Sequence, residues 1–342
     1  YEKANNIGRD SGRNIANEYF AVNSEYNFSD MDTLAVGPVV QDTSRMFDSF
    51  WNHRNAIPYR QLSGQQDDGG KRLAMLKANM KGNSEALRDT PYAGAVRESL
   101  ADLITTDGES FEWARYELIY DSPDKSIGER EMDPAGSTIV PLRELLLESR
   151  ETLLIVSPYF VPQAEGMKGL VELQNSGVQV DILTNSLASS DHLLVHGGYA
   201  GSREPLLRHG VRFYEMRPDV HIGGTDRAGT QNSSSSLHSK AFVIDRRFFF
   251  MGSFNWDPRS YRINTELGVI IDSPKIASQI VHDLDRAIAT HTYQVFLSEG
   301  GGLRWRVEDD GQVEIWDREP HTSFFKRFKA AFAQMLPIRS QL

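Results

Sequence analysis

The sequence predicts an α/β fold, and three observations carry that prediction. Helix-like and strand-like segments alternate between residues 139 and 186 in the order α-β-α-β with a crossover, the signature of a parallel sheet. A β-hairpin follows between Ala241 and Gly252, where the apolar runs AFVI and FFFMG flank a turn at Asp245-Arg246-Arg247. The opening residues also faintly repeat this later region. Gly12-Arg13-Asn14 echoes Gly252-Ser253-Phe254-Asn255, and Asp30-Met31-Asp32 with its following run parallels Asn264-Thr265-Glu266. Repeats govern the whole fold assignment.

Taken in order, the first twenty residues offer no helix or strand lead-in. Gly37 to Pro58 reads as a helix starting after Pro38, with Val39, Val40, Met46, Phe47, Phe50 and Trp51 as a stripe facing the core. Gly-Gly and Asp-Asp punctuation then leads into helix-like sequence up to Thr105, read as a solvated linker. Trp113 to Tyr120 reads as a strand and DSPDKS as a turn. From near Asp133 come a helix (139–148), a buried strand within ETLLIVSPYFVP, a helix (164–176) and the strand VQVDILTNS. His192 and His196 have the i, i+4 spacing of a metal pair. No third ligand is placed and Gly197-Gly198 follow at once, so the reading is no metal but a helix capped near Ser189 or Ser190 at the mouth of a site. Residues 218–236 form a polar Gly/Ser-rich loop, a lid or plain disorder. LGVIIDS is a strand and 274–289 a helix. In the last segment, 323–335, Phe324, Phe325, Phe328, Phe332 and Met335 fall on one side and Lys326, Arg327 and Lys329 towards the other. Such a basic amphipathic helix suits a bilayer surface, but packing of its apolar side on the protein body is the preferred expectation.

Composition narrows the function. At 342 residues the chain has room for two domains or one large duplicated domain. A net charge of −10 and a pI near 5.4 weigh against a general nucleic-acid binder. The absence of cysteine excludes a disulfide framework, a thiolate metal site and a cysteine nucleophile. No apolar run approaches the roughly 18 residues of a membrane span, and no signal peptide is visible.

The chemistry concentrates between Leu237 and Gly268, in the string His238-x-Lys240-x4-Asp245-x6-Gly252-Ser253-x-Asn255, followed by Glu266. Alternate residues of a strand share a face, so His238 and Lys240 project together. An imidazole, an ammonium and neutral donors at one edge suit an anionic tetrahedral group such as a phosphodiester. Lys240 supplies a compact charge for the non-bridging oxygens, while Ser253 and Asn255 donate hydrogen bonds that fix orientation. His238 alone can attack phosphorus or protonate a leaving alkoxide. By residue type and position, Glu266 is expected to hold the distal nitrogen of the His238 ring.

This string resembles the HKD signature of the phospholipase D superfamily, with every position filled. GRNIANEYF, LAVGPVV, SPYFVP, LTNSLASSDHLLVHGGYA, NWDPRSYRINTELG and the closing EPHTSFFKRF are similar, more narrowly, to the bacterial cardiolipin synthases of the C type. The resemblance implies a phospholipase D-like αβα sandwich of two pseudo-symmetric halves with mixed central sheets, each half giving one motif to a shared site. Residues 1–60 would be the tail of the first half, 61–132 a connecting region, 133–298 the second half, and 299–342 a C-terminal extension. Asn14 and Asp32 would correspond to Asn255 and Glu266. No His-x-Lys of proper spacing precedes Gly12, so the first half is expected to be incomplete in this chain, with a degenerate first motif as the alternative.

The implied activity is that of a phosphatidyltransferase needing no cofactor or metal, which joins phosphatidylglycerol to a second phospholipid, with phosphatidylethanolamine a candidate donor. It would run through a phosphatidyl-histidine on the first-motif histidine, with His238 as general acid and then base. Lys240, Asn255 and Asn14 would hold the phosphate, and Asp245 would orient the hairpin. The implied partners are phospholipids and the surface of the bacterial inner membrane, peripherally, with no nucleic acid. A phospholipase D using water as acceptor and an inactive membrane-associated scaffold are the rival readings.

Overall fold

A computed structural model describes residues 7–11, 13–14, 16–19, 26–62, 69–87, 111–125, 136–220, 234–309 and 311–335. The lid reading of 221–233, the helix reading of 88–105, the half boundary near Asp133 and Gly12 of the repeat lie outside the described residues.

The chain opens with β1 (Ile7–Ser11), a 3-10 turn (Asn17–Tyr19), β2 (Tyr26–Ser29) and β3 (Asp32–Val36). The sequence IGRDS carries little strand signal, yet β1 pairs antiparallel with β3 from Ile7↔Val36 to Ser11↔Asp32. Pairing with a partner strand overrides weak local preference, which corrects the expectation of no strand here. Helix α1 (Pro38–Trp51) starts on its proline, where the missing N–H costs nothing. Its stripe is only half buried. Val40 and Met46 point inward, whereas Phe47 and Trp51 stack on each other in the open, so the fully core-facing expectation fails. Helices α2 (Tyr59–Leu62) and α3 (Gly69–Leu87) precede β4 (Arg115–Tyr120).

The remaining order is α4 (Ile139–Leu147), β5 (Thr152–Val156), α5 (Ala164–Asn175), β6 (Gln179–Asn185), α6 (Leu193–Arg208), β7 (Arg212–Met216), β8 (Ser234–Leu237), β9 (Ala241–Ile244), β10 (Phe248–Gly252), α7 (Pro258–Arg262), β11 (Leu267–Asp272), α8 (Pro274–His291), β12 (Thr292–Leu297), β13 (Leu303–Asp309), β14 (Gln312–Trp316) and α9 (Phe324–Met335). Helix α6 is entered through His192, whose side chain makes no capping hydrogen bond, rather than through a serine cap at Ser189 or Ser190.

Ten strands form one mixed sheet in the order β14-β13-β12-β7-β6-β5-β9-β10-β11-β4. β5, β6 and β7 are parallel and every other neighbour pair is antiparallel. Strand alternation sends neighbouring residues into two cores. Leu153, Ile155, Phe242 and Phe250 pack with Leu142, Leu170 and Leu206 from α4, α5 and α6. Leu154, Val156, Val243 and Met251 pack with Ala277, Val281 and Leu284 from α8. A sheet buried on both faces between helices is the expected αβα arrangement. Strand β8 leaves this sheet and pairs in parallel with β2, from Tyr26↔Ser234 to Ser29↔Leu237. That pairing brings the N-terminal segment to the residue immediately before His238.

Candidate active site

His238 and Lys240 sit in the short link between β8 and β9, at the sheet end where β2 meets the body. The backbone N–H of His238 donates to the Ser29 carbonyl at 2.8 Å. Its Nδ1 lies 2.9 Å from Oδ2 of Asp30, whose side chain is 1% exposed. The ring edge meets Tyr19 at 5.0 Å and the ring lies 5.1 Å from Phe28. The imidazole is thus clamped by aromatic faces and oriented by one buried carboxylate. With Nδ1 turned to Asp30, Nε2 is the ring nitrogen left for a substrate and has no protein partner among the described residues.

Glu266 does not play the part foreseen for it. It is buried and accepts the hydroxyl proton of Ser253, and the carboxylate bonded to the His238 ring is that of Asp30. Ser253 is therefore occupied as well: its hydroxyl donates to Glu266 and accepts from Leu267 N–H at 3.1 Å, so it is not a free donor to phosphate. Strand register explains where the expectation went astray. With Asn14 matched to Asn255, Ser11 corresponds to Gly252; Ser11 pairs with Asp32 as Gly252 pairs with Gly268. Two residues before these partners, just ahead of β3 and β11, stand Asp30 and Glu266. Asp30, not Asp32, is the counterpart of Glu266, while Asp32 is bonded to Arg13 at 2.9 Å. The signal for Asp30 was present in the repeat, but choosing between two acids two residues apart needed the register.

Lys240 is 6% exposed and its ammonium donates to the His238 carbonyl. Burial pushes it down to about 8, against the upward pull of Asp30, Glu266, Asp191 and Asp257. Asn255 is equally enclosed, its backbone N–H donating to Ser260 Oγ at 3.2 Å, and its side-chain Oδ1 is buried without a hydrogen-bond partner. Asp257, which caps α7 through Ser260 N–H at 2.7 Å, is pushed up to about 6 by burial. Asn14 is exposed and donates to the Tyr19 hydroxyl at 2.9 Å, which ties it to the ring packed on His238.

The loop from Gly252 to Glu266 is held from both sides. A side chain at Gly252 would meet the Leu267 carbonyl at 2.2 Å, so only glycine allows β10 and β11 to approach this closely. From beneath, the fully buried Asp121 accepts from Glu266 N–H and from Thr138 N–H, and pairs with Lys125 at 2.6 Å. This support was not legible in DSPDKS, which read only as a turn. On the other flank, Asn185 brackets Leu237, accepting its N–H at 2.8 Å and donating to its carbonyl at 2.9 Å.

Asp245 stands apart from this cluster, at the far end of β9. Asp245 and Arg246 both take positive φ in the hairpin turn, and the Asp245 carboxylate accepts the backbone N–H groups of Arg150, Glu151 and Thr152 at 2.8–3.1 Å. It orients the hairpin, at the opposite end of β9 from His238 and Lys240. Asp245→Ala is expected to cost roughly 1–3 kcal/mol, the range for a lost set of charge-assisted bonds. A urea unfolding midpoint measures it, with the folded fraction retaining its transfer rate.

His192 and His196 diverge. The His192 ring meets Tyr159 at 5.6 Å, whereas His196 is buried with its Nε2 3.4 Å from Glu319. Among the described residues no group of three or more His, Cys, Asp or Glu side chains converges as a metal site.

The chain resembles known proteins over nearly its full length. The family model described as "Cardiolipin synthase, PLD-like domain" matches residues 142–288. Cardiolipin synthase C of Escherichia coli (strain K12) is 34% identical, over 96% of this chain and 69% of that protein. A Helicobacter pylori (strain ATCC 700392 / 26695) protein described as uncharacterized is 29% identical over 96% of this chain, which spans 64% of that relative's length. The crystal structure of phosphatidylserine synthase from Haemophilus influenzae Rd KW20 superposes with a TM-score of 0.53 at 16% identity, covering 85% of this chain and 61% of that one, a likeness of fold. With a complete HKD string and this degree of identity, the chain belongs to the phospholipase D superfamily, as a phosphatidyltransferase of the cardiolipin synthase type.

Proposed function

We propose that this protein makes cardiolipin from phosphatidylglycerol and a second phospholipid, with phosphatidylethanolamine a candidate donor, through a phosphohistidine intermediate and without a metal. The observation that carries this reading is the His238–Asp30 pair at 2.9 Å beside a buried Lys240. Asp30 fixes the orientation of the ring, so Nε2 is the nitrogen that exchanges a proton with the substrate. In the first step, the first-motif histidine forms a bond to phosphorus as the donor's P–O bond breaks, and His238 Nε2–H passes its proton to the departing alkoxide. In the second, the now neutral Nε2 takes the proton of a glycerol hydroxyl of phosphatidylglycerol. That oxygen bonds to phosphorus and the P–N bond breaks. Lys240 and Asn255, with Asn14 across the pseudo-dyad, hold the non-bridging oxygens as charge shifts.

The same reading keeps residues 1–60 as the tail of the first half, 61–132 as the connection, 133–298 as the second half and 299–342 as an extension. It places the protein peripherally at the bacterial inner membrane. Among the described residues no helix is long and apolar enough to cross a membrane. The test is product analysis with labelled phosphatidylglycerol. Cardiolipin with release of the donor's headgroup alcohol, glycerol from phosphatidylglycerol or ethanolamine from added phosphatidylethanolamine, is the expected outcome, and phosphatidic acid as the sole product would replace this reading with hydrolysis.

A further inference from the structure

Helix α9 faces the protein in the opposite sense to the expectation from its sequence. Its buried residues are Ala330 and Ala333, and Ala333 packs on Gly197 of α6 so closely that a side chain there would meet it at 2.8 Å. Small residues let the two helices touch. The aromatic side is left outside: Phe324, Phe325, Phe328, Phe332 and Met335 are 59–82% exposed. Phe324 stacks on Phe328 at 6.4 Å and meets Phe325 edge-on, so these three rings form one apolar surface. The helix is also locked in place. Glu319, just before it, is bonded at 2.7 Å to the buried Arg203, which also holds Glu215 at 2.9 Å. The inner face of α9 is satisfied by the body, so the outer face is not waiting for it.

We propose that this face docks onto the surface of an anionic phospholipid bilayer. The charge pattern selects that occupant. A chain of net charge −10 places three basic residues and no acidic one in this twelve-residue helix. Lys326 and Arg327 lean onto the body through Ala188 and Thr322, while Lys329 is exposed on the same helix as the rings. Aromatic rings bury in the headgroup boundary while an exposed cation beside them stays among the lipid phosphates. The position fits the same partner. Lys326 donates to the Ala188 carbonyl at 3.1 Å, beside Ser189, whose hydroxyl bonds Asn185 at 3.2 Å, and Asn185 brackets the residue before His238. The docking face and the site are thus joined through one turn. That coupling, though not the docking itself, rests on the transferase reading.

Vesicle flotation of the full chain tests this, using vesicles of phosphatidylglycerol with phosphatidylcholine and of phosphatidylcholine alone. The wild type is expected to bind the anionic vesicles, and Phe325→Glu/Phe328→Glu to bind them at least about tenfold more weakly with unchanged melting. Lys329→Glu, at an exposed position, should weaken binding to anionic vesicles and leave binding to neutral ones unchanged. His238→Ala should bind as the wild type does, so failure of the catalytic reading would leave this result standing. The proposal is overturned if the wild type ignores anionic vesicles or the glutamate variant still floats with them. It is equally overturned if that variant only converts a dimer into a monomer in sedimentation.

Discussion

His238→Ala is expected to lower phosphatidyl transfer in the active enzyme by at least about a thousandfold, with the melting transition unchanged. The side chain is held by Asp30 and by two aromatic rings rather than sealed in either core, so its removal takes away a proton carrier and not a packing element. The same geometry sets a sharper outcome. Asp30 acts through the imidazole and, more weakly, through its pull on the Lys240 charge, so adding Asp30→Asn to His238→Ala should cost far less than Asp30→Asn costs alone. Residues that work as one unit are non-additive in this way. Near-normal transfer by His238→Ala would remove His238 from the mechanism.

The second large effect is a trade between activity and stability at Lys240. Its ammonium is displaced by burial to about 8 from the ordinary 10.5. Activity needs the charged form, so kcat/KM should fall as pH rises through about 8. Stability moves the other way. Between about 8 and 10.5 the unfolded chain binds more protons at this residue than the folded one, so stability rises with pH across that window. Below it, the cost of burying the charge is fully present. Lys240→Met should therefore abolish transfer yet stabilise the fold at neutral pH by roughly 2–3 kcal/mol, measured by denaturant unfolding. A destabilised Lys240→Met protein would mean that the carboxylates around Lys240 outweigh its desolvation.

The parts of this molecule legible in its sequence are those specified locally. The hairpin around Asp245, the α-β-α-β run and the motif string depend on neighbours a few residues apart, and they stand where expected. The partner of His238 was misassigned because it depends on register between strands far apart in the chain. Asp30 and Asp32 look alike in the repeat, and only the pairing of Ser11 with Asp32 separates them. Helix α9 fails for a related reason. Periodicity reveals two faces but not which one meets the body, and here a glycine on α6 favoured alanines over phenylalanines. Strands β12, β13 and β14 extend an existing sheet edge, and the strict alternation of Leu303, Trp305 and Val307 with Arg304, Arg306 and Glu308 was a local signal the sequence expectation left unused.

Parallel pairing of β2 with β8 means that the acid steering His238 lies 208 residues upstream of it. The imidazole therefore gains its carboxylate neighbour only once these distant segments have docked, so assembly of the fold and orientation of the His238 ring become a single event.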